Sequence, residues 1–88
     1  MKTIEFVEKV NSLGFGVVFT DLDVVVENSS GSNLLVILKD TQYVLDTDWR
    51  FFEGLSNELQ AELFGIAVEY ASTEPEEREE NINKRWKQ

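Results

Sequence analysis

The chain has 88 residues, neither cysteine nor histidine, and a formal net charge of −9. That length gives one domain with a small core. The missing residue types exclude disulfides, thiolate metal sites and cysteine nucleophiles, and remove the commonest metal ligand and general base.

Residues 3–13, TIEFVEKVNSL, predict a helix. Thr3 is placed to cap it, Glu5 and Glu8 suit its N-terminal half, and Gly14 is placed to end it. Phe6, Val10 and Leu13 recur at helical spacing, with Ile4 and Val7 widening the apolar face. Glutamates inside this apolar pattern argue against a signal peptide, and no run approaches the roughly 20 apolar residues of a membrane span.

Strands are predicted next, because β-branched and aromatic residues dominate. They fall at Phe15–Thr20, Leu22–Glu27, Leu34–Lys39 and Gln42–Leu45. Asp21 marks the first turn, and Asn28–Asn33 forms a polar second turn with Gly31 available for positive φ. Short connections predict antiparallel pairing. The nearly unbroken apolar run Leu34–Leu38 suggests a central strand or one covered on both faces, and with Val24–Val26 it points to a second copy of the chain as a cover for the other face.

The second half reads as helical. Trp49–Leu55 supplies one or two turns, with Asp46 or Asp48 as candidate caps and Gly54 as an interruption. Ser56 caps a longer helix over Asn57–Ser72. Its stripe is Leu59, Leu63, Ile66 and Tyr70, widened by Phe64 and Ala67. A further helix follows, with Thr73 and Glu76 at capping-box spacing and Pro75 in the first turn. The expected architecture is α+β: an N-terminal helix, a three- to four-stranded antiparallel meander, and two to three C-terminal helices packed on the sheet. Residues 1–73 form the domain and residues 74–88 a C-terminal helical extension.

Residues 1–73 carry twelve acidic and four basic side chains. Such a surface repels phosphate backbones, so direct nucleic-acid binding is disfavoured and a basic protein partner is favoured. Asp21, Asp23, Asp46, Asp48 and Glu53 form the candidate acidic surface. Turns also recruit aspartate for backbone hydrogen bonds, and no EF-hand spacing occurs, so no metal or cofactor is expected. No nucleophile motif or phosphate loop is present, so no catalytic residue is assigned.

The interface candidates are Trp49, Arg50, Phe52, Ile82 and Trp86. Tryptophan and arginine are frequent interface anchors. Trp49, Phe51 and Phe52 cannot all face one core from one short helix, because adjacent helical residues diverge by about 100°. Ion pairing of Arg50 with Asp46, Asp48 or Glu53 is the bland alternative for that residue.

From Gln42 onward the chain resembles a family of small, uncharacterised proteins encoded by phages and prophages of Gram-positive bacteria. The residues that carry the likeness are Tyr43-Val44-Leu45-Asp46-Thr47-Asp48, Phe51 or Phe52, Leu59, Leu63, Tyr70-Ala71-Ser72-Thr73 and Pro75-Glu76-Glu77-Arg78-Glu79. Glu74 stands between Thr73 and Pro75, where the family pattern has Thr and Pro adjacent. The resemblance implies phage or prophage origin and a small accessory role, and it supplies no catalytic residues; the expected location, from the N-terminal pattern above, is the cytoplasm of a bacterial host. The expected function is therefore a non-enzymatic protein-interaction module, an acidic modulator of a host nucleic-acid-processing or defence protein. The alternative is a self-associating assembly factor, with a homodimer as its simplest form. A carboxylate-based metal-dependent enzyme is the weaker alternative.

Overall fold

The computed structural model describes residues 1–78. Its elements in chain order are α1 (Thr3–Ser12), β1 (Gly16–Phe19), β2 (Asp23–Glu27), β3 (Asn33–Leu38), β4 (Leu45–Asp46), α2 (Arg50–Glu53) and α3 (Asn57–Ala71). The strands pair antiparallel in the order β1-β2-β3-β4, so the expected α+β meander is formed. Ile82 and Trp86 lie outside the described residues. Among those described, no helix is long and apolar enough to cross a membrane.

α1 buries Phe6 and Val10, which lie one helical turn apart. Glu5 and Lys9 pair on its exposed side at 3.5 Å, a contact worth a few tenths of a kcal/mol, about 0.3–0.5. The helix ends at Gly14, whose φ of +93° a glycine adopts freely. Thr3 does not cap it. The N-cap position belongs to Lys2, with no side-chain cap, and Thr3 is buried inside the helix, its hydroxyl sharing a 2.7 Å hydrogen bond with the Tyr70 hydroxyl.

Alternation along the strands sorts the sheet into two faces. Val17 and Phe19 of β1, Val24 and Val26 of β2, Leu35 and Ile37 of β3, and Leu45 of β4 face the helices. The register breaks between Val26 and Glu27, so one extra residue of β3 must be accommodated there. Leu34 and Leu35 are both fully buried at this bulge. The start of the apolar run thus coincides with the bulge.

Turns follow local chemistry. Asn28 Oδ1 accepts from the amides of Ser30 (2.9 Å) and Ser32 (3.0 Å), and Gly31 takes φ +85° as expected. The last strand is shorter and later than predicted, beginning at Leu45 rather than Gln42. Gln42 and Tyr43 instead bind the end of α3. The Gln42 amide donates to Ser72 O at 2.6 Å, and Tyr43 N–H to Ala71 O at 2.7 Å. Tyr43 has φ +70°, a conformation costing a non-glycine residue about 1 kcal/mol or more.

α3 begins at Ser56, whose hydroxyl accepts from Leu59 N at 3.2 Å, as its sequence position predicts. It buries Leu63, Ala67, Tyr70 and Ala71. Phe64 does not join this face and is 46% exposed. The core is one cluster: Phe6 and Val10 of α1 and the buried residues of α3 lie on the inner face of the sheet.

After α3 the predicted capping box does not form. Thr73 Oγ1 turns back to donate to Glu69 O at 2.9 Å and accepts from the Met1 amino group at 2.8 Å. Residues 75–78 are helical, and they carry Arg78 back into the body. Arg78 is 1% exposed. It donates to the carbonyls of Thr73 (2.8 Å), Ala71 (3.1 Å), Leu38 (3.1 Å), Thr41 (3.3 Å) and Lys39 (3.4 Å). Its guanidinium lies 4.9 Å from the centroid of the Tyr70 ring, which stacks on Phe6 with centroids 4.2 Å apart. Residues 74–78 are therefore fastened to the same core as the residues before them.

Candidate functional site

The outer face of the sheet is the first candidate surface. Strand register aligns Val18 with Val25, Val25 with Val36, and Val36 with Asp46. This row of valines crosses three strands and ends on a carboxylate. Val18 is 41% exposed, while Val25 and Val36 are half-buried, in contrast to the fully buried Val24 and Val26 that flank Val25 along β2. Alternation places Asp23, Glu27 and Leu38 on this same outer face. The result is an apolar centre with acids at its margins, on the side of the sheet away from α1 and α3.

The acidic residues expected to act together are spread over several elements. Asp23 and Asp46 share the outer face but sit on β2 and β4, separated by β3, which puts them roughly 10 Å apart or more. Asp21 is exposed in the β1–β2 turn. Asp46 Oδ1 accepts from Asp48 N at 2.9 Å, a local turn bond. Neither residue caps α2, whose N-cap is Trp49 with no side-chain cap. Glu53 is exposed at the end of α2, and its backbone carbonyl accepts from Gln60 Nε2 at 3.0 Å. Among the described residues, no group of three or more acids is placed to hold a metal ion.

The second candidate is a groove at the start of β3. Gly31, Ser32 and Asn33 from the β2–β3 connection line it together with Trp49, Arg50 and Phe51, and it encloses about 410 Å³. The structure thus brings Trp49 and Arg50 to one place. Arg50 is exposed, and among the described residues it makes no ion pair, so the expected partners Asp46, Asp48 and Glu53 are not engaged with it. Trp49 is half-buried, and its indole Nε1 is buried without a hydrogen-bond partner. Such an unmet donor is uncommon in a folded protein. Phe52 packs against the core, and Phe51 is the outward aromatic, 49% exposed. The aromatics thus diverge as expected, with Phe52, the interface candidate, as the inward one of the two phenylalanines.

A third surface was not foreseen. Phe64 and Val68 are 46% and 37% exposed on the outer side of α3, one helical turn apart. The available signal was the number of apolar residues in α3, which exceeds what one buried stripe can hold. All three surfaces are suited to contact with another molecule through apolar area and hydrogen bonds. No protein-family model, no curated protein and no solved structure matches the chain.

Proposed function

We propose that the protein is a non-enzymatic interaction module that binds a basic protein partner through the outer face of its sheet. The observation that carries this reading is the valine row Val18–Val25–Val36, partly exposed and bordered by Asp23, Glu27 and Asp46. Partly exposed valines on a three-residue front offer apolar area, and the carboxylates select against acidic partners and steer basic ones. A net charge of −9 extends that preference beyond the contact itself. With the resemblance to small phage and prophage proteins, the favoured partner class is a host protein that handles nucleic acid or serves in defence. Such proteins carry basic surfaces for phosphate, and an acidic module can occupy them.

The test is affinity capture from host lysate with the full chain, eluted over a salt gradient. Capture of a basic protein, released by moderate salt and lost with the double variant Val25→Thr/Val36→Thr, is expected. Both substitutions keep the β-branched shape, so thermal unfolding should report an intact fold. Capture that ignores both salt and the double variant would remove the reading.

Self-association through the same valine row is the second reading, favoured by its partial exposure. It must overcome repulsion between two chains of charge −9. Sedimentation of the purified chain across concentrations separates the two. A dimer that Val25→Thr/Val36→Thr dissociates would support assembly.

A further inference from the structure

At 3.6 residues per turn, α3 has two apolar sides. Leu63, Ala67, Tyr70 and Ala71 point into the core. Ala61, Phe64, Gly65 and Val68 fall on the opposite side at i, i+3, i+4 and i+7, and all four are exposed. Glu58, Glu62 and Glu69, also exposed, run along one flank of this second stripe. The other flank is uncharged, with Asn57 and Gln60.

Gly65 sits midway along the stripe, on its edge beside the glutamates. Glycine weakens a helix interior relative to alanine, so its presence there asks for a reason. Backbone conformation gives none, since Gly65 is not among the residues with positive φ. Packing among the described residues gives none either, because a Cβ built at Gly65 would meet nothing of theirs within 4 Å. What a glycine flanked by Phe64 and Val68 does permit is the close approach of a second backbone.

We propose that this face of α3 receives an amphipathic helix from another protein, crossing over Gly65, with lysines or arginines facing Glu58, Glu62 and Glu69. The i, i+3, i+4, i+7 spacing is that of a helix–helix contact. The one-sided glutamates specify the charge of the incoming helix. A second copy is a poorer occupant. Two α3 helices packed antiparallel about a two-fold axis through Gly65 would set the glutamate flank against itself. The proposal rests on the preceding reading only for the basic character of the partner; the surface is a different one.

The probe is a blocked helical peptide of alanine, leucine and lysine, with leucines along one face and lysines beside them. Its counterpart has glutamate for lysine. Both are titrated into the isotope-labelled full chain and followed by amide chemical shifts. The lysine peptide is expected to move the resonances of Phe64, Gly65 and Val68, and the glutamate peptide to leave them in place. Gly65→Leu is expected to weaken binding by about tenfold or more, because the added side chain holds the backbones apart. Gly65→Ala should weaken it less while raising the thermal midpoint of the free chain, which separates a contact role from a folding role. Glu62→Gln/Glu69→Gln should weaken binding and flatten its salt dependence. Val25→Thr should leave peptide binding unchanged, so this proposal and the sheet-face reading fail separately. Three results would overturn the proposal: binding indifferent to Gly65→Leu, shifts confined to the sheet, or stripe shifts that follow the chain's own concentration without peptide.

Discussion

An aromatic residue and an arginine occur together at two places, Tyr70 with Arg78 in the core and Trp49 with Arg50 along the groove, and the two pairs behave oppositely. Arg78 is 1% exposed and spans five carbonyls, and Tyr70 is stacked and hydrogen-bonded. Arg50 is exposed beside an indole N–H that has no acceptor. Residue type does not separate them; the supply of acceptors does. The last turn of a helix leaves carbonyls unpaired. At the end of α3 these meet the β3–β4 loop, whose carbonyls also point inward, and Arg78 collects both sets. Around Trp49 no helix end is buried, and α2 has only four residues.

Substitutions at the two pairs sharpen this contrast. Arg78→Met should have the largest effect, removing one donor group from several buried carbonyls at about 1–3 kcal/mol each, for a total of about 3 kcal/mol or more. Urea unfolding measures it, and a loss below about 1 kcal/mol would mean that water or a neighbour replaces the guanidinium. Tyr70→Phe should cost about 1–3 kcal/mol, because the Thr3 hydroxyl is left buried. Trp49→Phe is the informative small case. It deletes a donor that has no partner, so the indole's lost contacts are partly offset and the net change should stay below about 1 kcal/mol. A loss comparable to that of Tyr70→Phe would show that Nε1 is bonded after all. Arg50→Gln should change stability by no more than about 0.5 kcal/mol. If Arg50→Gln and Arg78→Met proved equally harmful, the contrast between the pairs would collapse.

The parts of the fold that local chemistry determines were legible in the sequence. Gly14 and Gly31 mark backbone positions with positive φ, Ser56 caps α3, and β-branched runs mark the sheet. What misled were residues whose side chains answer to distant partners. Thr3 looked like a cap, but its hydroxyl meets Tyr70, 67 positions away. Thr73 and Glu76 had the spacing of a capping box, yet Thr73 is held by Glu69 and the Met1 amino group. Phe64 had a helical spacing shared by both sides of α3, and only docking against α1 and the sheet decides which side is inner. Among the candidate site residues, Trp49 and Arg50 do line one groove, whereas Phe52 turns to the core in favour of Phe51. The five acids flagged for one surface are distributed because four of them serve turns, strand ends or a sheet margin on different elements. Arg78 stood out in the sequence only within the Pro75–Glu79 stretch that carries the family likeness, since nothing local announces that a residue will be drawn under a loop 37 to 40 positions earlier.

The fastening of Arg78 beneath the β3–β4 loop also orders events in time. A ribosome delivers α1 and the strands first, and domains generally fold as their units emerge. Here the sheet's inner face and the Phe6 ring stay without their cover until α3 has been made, and the carbonyls of Leu38 and Thr41 wait longer still for the guanidinium. A chain whose α3 has not yet docked therefore leaves a valine- and leucine-rich sheet uncovered on both sides. A chain truncated before residue 57 would keep that exposure and invite aggregation, whereas one that has released residues 57–78 can close.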